Sequence, residues 1–157
     1  MARKGPTFLL TTIESDAHTW NLIYMESLLE EHGIRTVNLG PCVSAEMTVD
    51  AIAAHRPDAV IVSSVNGHGL QQARDLFRSA ERRLGESLPP MLIGGKLSTS
   101  DVKGPAIRQE LLATGYRGVF VGDRAIQEFR QWLAEFLGLR CGAALSLRTD
   151  ASLAAGA

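Results

Sequence analysis

An aspartate and a histidine stand two positions apart, directly after a short apolar run, and they are the pair best suited to chemistry. The run covers residues 8–13, and Asp16 and His18 follow it. In an extended segment the side chains at i and i+2 point to the same side, so Asp16 can reach one ring nitrogen of His18. A carboxylate in that place fixes the tautomer of an imidazole and raises its basicity, which leaves the other nitrogen free to bind a metal. The alternative is an accidental pair on a surface loop.

Two further segments of small or polar residues follow strand-like runs later in the chain. The run 59–62 precedes Ser63, Ser64 and Val65, and the run 91–93 precedes Gly94, Gly95, Lys96, Leu97 and Ser98. The carboxyl ends of parallel strands meet at one edge of a sheet, where ligands bind in such folds. We therefore expect both segments to lie beside His18.

The elements that must position these segments alternate between strand and helix. Apolar, β-branched runs predict strands at 7–13, 35–39, 59–62, 91–93 and 118–121. Apolar residues at helical spacing predict the helices 19–32, 44–55, 70–84, 106–114 and 124–137. This alternation predicts an α/β fold, a flavodoxin-like doubly wound sheet of five parallel strands in the order 2-1-3-4-5. The switch point of that order lies between the first and third strands.

Length and composition fit one such domain. The chain has 157 residues, a net charge of -1 and 45% hydrophobic residues, so no excess of charge indicates a nucleic-acid or membrane partner. Cys42 and Cys141 lie far apart, and the start of the chain lacks the pattern of a secretion signal. We expect a soluble cytoplasmic protein with a domain at 1–137 and a largely disordered tail at 138–157.

The three segments, in this order, carry a resemblance to a known family. D-x-H, then S-x-V, then G-G, each after a strand, resembles the cobalamin-binding domain of the coenzyme-dependent mutases and methionine synthase. The pattern of that family is D-x-H-x-x-G, S-x-L and G-G, and its domain is Rossmann-like. The residues around the motifs are most similar to the small subunit of glutamate mutase, also called methylaspartate mutase. The resemblance covers residues 5–137.

The resemblance implies a set of residues that bind the cofactor, adenosylcob(III)alamin. His18 would be the lower axial cobalt ligand, and Asp16 its hydrogen-bond partner. Ser63 would bind the buried nucleotide base of the cofactor. Gly94 and Gly95 would let the backbone approach its tail. The other implied contacts are Ser15, Ala17, Thr19, Ser64, Val65, Lys96, Leu97 and Ser98.

The resemblance also implies a role as one subunit of an isomerase. No catalytic residue is expected in this chain, which would present the corrin to a large, barrel-shaped catalytic subunit. That pair would convert L-glutamate to 3-methylaspartate by a radical mechanism. The alternatives are a corrinoid carrier for methyl transfer, a cobalamin-binding regulatory module, or the small subunit of a mutase with another substrate. A helical cap or output domain, expected of a carrier or a regulator, is not seen in residues 1–157.

Two other classes with this fold fit the residues poorly. A response regulator needs an aspartate after the third strand, where this chain has Ser63. A flavodoxin needs a phosphate-binding first loop, and here Glu14 and Asp16 would repel a phosphate.

The chain departs from the family pattern at three positions. Asn21 replaces the glycine of D-x-H-x-x-G, Val65 replaces the leucine of S-x-L, and Lys96 replaces a common asparagine. Asn tolerates left-handed backbone angles, so the loop geometry can survive the first change. Trp20, beside Asn21, either packs on the edge of the corrin or belongs to the core, and we expect the core.

Overall fold

The structure, a computed structural model, describes residues 5–65, 67, 69–97 and 103–140. The chain divides into two compact units, residues 1–125 and 126–157, and the sheet lies in the first. Ser98, Asn66, His68 and Cys141 lie outside the described residues, as does most of the expected tail. The expected domain boundary at residue 137 stays a prediction.

Five parallel strands form one sheet in the order β2-β1-β3-β4-β5, which confirms the predicted topology. The strands are β1 (Thr7–Thr12), β2 (Arg35–Asn38), β3 (Ala59–Ser64), β4 (Met91–Gly95) and β5 (Gly118–Phe120). Every residue of β3 is buried, as expected of a central parallel strand covered by helices on both faces.

The helices follow the strands one by one. They are α1 (Trp20–Glu31), α2 (Ala45–His55), α3 (Gly69–Leu84), α4 (Gly104–Thr114) and α5 (Ala125–Arg140), with a 3₁₀ turn at Gly85–Ser87. The side chain of Ser44 accepts a hydrogen bond from the backbone N–H of Met47 and so caps α2. Within the described residues, no helix is long and apolar enough to cross a membrane.

The hydrophobic core of the first unit joins the sheet to its helices. The apolar face of α3 is buried in it and consists of Ala73, Leu76, Phe77 and Ala80. Leu9, Val60 and Ile93 contribute from the three central strands. This face of α3 agrees with the helical spacing in the sequence.

Two strands run further than the sequence pattern predicts. β3 includes Ser63 and Ser64, and β4 includes Gly94 and Gly95, which we had expected in loops. The reason is that β3 and β4 stay paired to their ends. Backbone hydrogen bonding can extend a strand through residues of low strand propensity.

The expectation that Trp20 lies in the core is wrong. Its side chain is 79% exposed at the first position of α1. The buried positions of α1 are Leu22, Leu28 and Leu29. Trp20 precedes the first of them by two positions, about 200° around a helix of 3.6 residues per turn, and so lies on the opposite side.

Candidate functional site

The sheet brings the three sequence motifs to one level at its carboxyl edge. Thr12 at the end of β1 pairs with Ser63 of β3, and Ser63 pairs with Gly94 of β4. Adjacent strands lie about 4.8 Å apart. The loop that carries Asp16 and His18 therefore begins beside the serine and glycine motifs, as the sequence predicts.

Asp16 and His18 form the contact that their spacing predicts. Oδ1 of Asp16 lies 2.8 Å from Nδ1 of His18 and accepts a hydrogen bond from the His18 backbone N–H at 2.9 Å. The Asp16 side chain is 1% exposed, whereas that of His18 is 59% exposed. The carboxylate is thus buried behind an imidazole that faces solvent.

The charge state of Asp16 decides the tautomer of His18. Burial by itself raises the pKa of Asp16, but hydrogen bonds from the backbone of His18 and Val65 and from the His18 ring outweigh it, so this pKa lies below its usual value. An ionised carboxylate only accepts hydrogen bonds, so Nδ1 of His18 must carry the proton. In the neutral ring, Nε2 then carries the lone pair that a metal ligand requires.

The same carboxylate reaches the second motif. Oδ2 of Asp16 accepts a hydrogen bond from the backbone N–H of Val65 at 2.6 Å. Val65 is the residue after β3. Asp16 therefore fixes the ring of His18 and the end of β3 together.

Contacts from α3 and from the segment between β2 and α2 hold the loop in place. Oε1 of Gln72 on α3 accepts hydrogen bonds from the backbone N–H of Ser15 at 3.2 Å and from its hydroxyl at 2.8 Å. The backbone N–H of Cys42 donates to the carbonyl oxygen of Asp16 at 2.8 Å. The sequence does not single out Gln72, because a glutamine in a charged amphipathic helix carries no signal of such a contact.

The two serines of β3 serve opposite faces of the sheet, because side chains alternate along a strand. Ser64 lies an even number of residues from Val60 and Val62, which belong to the core cluster, so its side chain is on the same face of the sheet as theirs. Its hydroxyl is buried and makes no hydrogen bond within the described part of the chain. Ser63 is on the other face of the sheet, with Ile61, and is 9% exposed.

The glycine pair is closely packed within the fold of this chain itself. Gly95 has φ +117°, and a Cβ there would overlap the backbone carbonyl of Ser64. A Cβ on Gly94 would lie 3.1 Å from the carbonyl oxygen of Phe120. Close packing between neighbouring strands therefore explains both glycines without a ligand.

The remaining expected contacts differ in accessibility. Ala17, Thr19 and Lys96 are exposed at this edge, while Leu97 is 3% exposed and belongs to the hydrophobic core. Leu97 can therefore offer a ligand little more than its backbone. A cleft of about 510 Å³ lies beside Gly95 and the start of α4, and a cavity of about 110 Å³ lies between Glu14 and Gln72.

These residues fit a metal that arrives inside a macrocycle. Such a metal needs one axial ligand from the protein, and His18 offers an exposed ring whose Nδ1 is held by a buried carboxylate. In the described ranges, no group of three or more His, Cys, Asp or Glu side chains could hold a bare metal ion.

Comparison with known proteins shows which family the chain belongs to. The sequence profile of the B12 binding domain matches residues 6–130. The glutamate mutase sigma subunit of Escherichia coli is 27% identical over 138 residues, which cover 87% of this chain and 91% of that protein. Sigma subunit 2 of the glutamate mutase of Haloarcula marismortui is 31% identical over 134 residues, 85% of this chain and 89% of that protein.

A solved structure shows the same fold. A cobalamin-binding protein from Desulfitobacterium hafniense superposes with a TM-score of 0.66 at 19% identity. The match covers 83% of this chain and 59% of that one, so this chain spans little more than half of its length. From the profile match and the similarity to the sigma subunits, we conclude that this chain belongs to the B12 binding domain family.

Proposed function

We propose that this protein is the cobalamin-binding subunit of an adenosylcobalamin-dependent carbon-skeleton mutase, with L-glutamate and 3-methylaspartate as its substrate pair. In this proposal His18 is the axial cobalt ligand. The chain supplies the cofactor site, and a separate large, barrel-shaped subunit supplies the substrate pocket. Bound adenosylcobalamin would supply a cobalt–carbon bond that breaks homolytically to start radical chemistry.

The observation that carries the proposal is the position of the Asp16 carboxylate. It is buried, holds the proton on Nδ1 of His18 and also binds the backbone of Val65. A surface pair formed by accident would not bury its carboxylate or join a second strand. In the neutral ring, this contact places the proton on Nδ1 and leaves the lone pair on Nε2, which is the role of a partner to a metal-binding histidine.

The other motif residues have roles that follow from their places. Ser63 faces the side of the sheet opposite the core cluster of α3, so its hydroxyl is available to a polar atom of the nucleotide tail. Gly94 is paired with Ser63 and so lies at the level where the tail would pass. Ser15, Ala17 and Thr19 adjoin Asp16 and His18 in the loop after β1 and would lie near the corrin.

The choice of substrate rests on the relatives. The similar proteins from Escherichia coli and Haloarcula marismortui are named glutamate mutase sigma subunits, and the match spans nearly their whole length. Identity near 30% leaves room for a different substrate in the partner, because the substrate pocket would belong to that subunit. Cofactor binding and substrate choice therefore need separate experiments.

Cofactor binding is tested by the absorption spectrum of the purified chain mixed with hydroxocobalamin. We expect a histidine-ligated, base-off spectrum that His18→Ala abolishes. His55→Ala is the matched control, because His55 is also exposed but lies at the far end of α2. If the wild type shows no such spectrum, alone or with a glutamate mutase large subunit, the proposal is wrong.

Substrate choice is tested with the chain, adenosylcobalamin and that large subunit. We expect 3-methylaspartate to form from L-glutamate, followed by NMR. Histidine-ligated binding without any turnover would restrict the function to cobalamin binding, as in a carrier or a regulatory module.

A further inference from the structure

Trp20 is the most exposed of the large hydrophobic side chains in the described part of the chain. It is 79% exposed, whereas Met47, the next, is 56% exposed. An aromatic side chain contributes a large apolar area, so leaving it in water forfeits stabilisation that burial would bring. Trp20 therefore has the properties of a contact residue, and the question is what covers it.

The backbone restricts where the indole can reach. Trp20 is two residues after His18, so their Cα atoms are at most about 7.6 Å apart. Trp20 is also the first residue of α1, and Cα–Cβ bonds in a helix tilt toward its N-terminus. Its side chain therefore leans toward the loop that presents His18 rather than along the helix.

The exposed large apolar side chains of α1 lie at the end of the helix beside His18. Ile23 and Tyr24, one turn further along, are 48% and 47% exposed. A protein partner could contact an exposed apolar side chain at any of these positions. The placement of the largest and most exposed ring next to His18 favours an occupant that is centred on His18.

We propose that Trp20 packs its indole ring against the corrin macrocycle that His18 binds. The inference rests on the proposed cofactor site and adds a contact residue to it. A flat ring with one N–H donor suits a flat macrocycle whose rim carries apolar groups and amides. The contact would add affinity for the corrin itself, independently of the nucleotide tail.

The probe that isolates the corrin is cobinamide, which has the macrocycle but no nucleotide base. In protein labelled with ¹⁵N-tryptophan, the indole signals come from Trp20 and Trp132, and Trp20→Phe assigns them. We expect diamagnetic cobalt(III) cobinamide and cobalamin to shift the Trp20 signal strongly and the Trp132 signal weakly. An unchanged Trp20 signal in protein saturated with either corrinoid would overturn the proposal.

Affinity provides the second measurement. Trp20→Ala should weaken binding of cobinamide and of cobalamin by similar factors, on the order of 10-fold, whereas Trp20→Phe should lose less. Leu112→Ala is the matched control, an exposed apolar residue near the end of α4. Because Trp20 is exposed, both Trp20 variants should keep the melting temperature of the wild type.

The outcomes separate this inference from the proposed function. If His18→Ala abolishes the ligated spectrum but Trp20→Ala binds both corrinoids like the wild type, the function stands and the Trp20 contact is wrong. A Trp20→Ala variant that loses only affinity for a large subunit, or only self-association, would assign the ring to a protein surface instead. If the wild type binds no corrinoid, both proposals fall.

Discussion

The backbone N–H of Val65 donates to Oδ2 of Asp16 at 2.6 Å, so one buried carboxylate joins the end of β3 to the loop after β1. The other oxygen of that carboxylate binds both the ring and the backbone of His18. The position of the exposed imidazole is thus tied to the position of the central strand. Any change at Asp16 should affect the loop and the strand end together.

Removing the Asp16 carboxylate should destabilise the protein. Asp16→Ala leaves three donors without their acceptor, including the part-buried N–H of Val65. The expected loss in the free energy of unfolding is about 1–3 kcal/mol at pH 7, measured by urea denaturation. Asp50→Asn is the control. Because Asp50 forms an exposed ion pair with Arg83, its loss should lower the free energy of unfolding less. A loss no larger than in the control would contradict the role assigned to Asp16.

The stabilisation from Asp16 should disappear in acid. The pKa of Asp16 in the folded protein lies below the ordinary value of 3.8, so the charged form is favoured by folding. Its contribution is complete above the pKa of the unfolded chain and is lost as pH falls through the lower folded pKa. The gap in unfolding free energy between wild type and Asp16→Asn should therefore narrow below about pH 3.8. A constant gap across an acid series would contradict this.

Gln72 should stabilise the loop after β1 through its contact with Ser15. Gln72→Leu and Ser15→Ala each remove part of the same contact, so their effects on the unfolding free energy should not add. We expect a coupling of about 0.5–1.5 kcal/mol from a double-mutant cycle. The control is Gln71→Leu, since Gln71 bonds to Asp75 on the surface of α3 and not to the loop. Additive effects of the first two variants would show that the contact is not formed in solution.

Gly95 should not tolerate a side chain even in the absence of cofactor. Its positive φ and the overlap of a Cβ with the Ser64 carbonyl predict a loss of about 1–3 kcal/mol for Gly95→Ala. Gly104→Ala is the matched control, because a Cβ at that helical position meets nothing within 4 Å. It should be neutral or raise stability by up to about 1 kcal/mol. The melting temperatures of the two variants are compared without cofactor. Equal values would contradict the predicted strain at Gly95.

The cap of α2 offers a further check on the fold. Ser44→Ala removes the acceptor for the Met47 N–H and should cost about 1 kcal/mol. Lys103 holds the equivalent position before α4 but makes no side-chain cap, so Lys103→Ala should change little. Equal losses of unfolding free energy in urea for the two variants would mean that the Ser44 bond does not stabilise the helix.

Local patterns determined the fold and the centre of the site. Strand-like runs alternate at short intervals with segments of helical spacing. The right-handedness of the connections between parallel strands then restricts the sheet to few strand orders. The contact between Asp16 and His18 was predictable because it spans two residues. Interactions this close in sequence depend mainly on local geometry.

Tertiary structure alone decided how the motifs are joined and which side chains face water. The bond between Asp16 and Val65 spans 49 residues, and the contact between Ser15 and Gln72 spans 57, so no local pattern encodes them. The pairing of β3 with β4 extended both strands through Ser64 and Gly95. Trp20 has the large apolar side chain that is typical of a core residue, yet it is exposed because it lies at the start of α1. Burial depends on where the other elements pack, and that is fixed only when the whole domain folds.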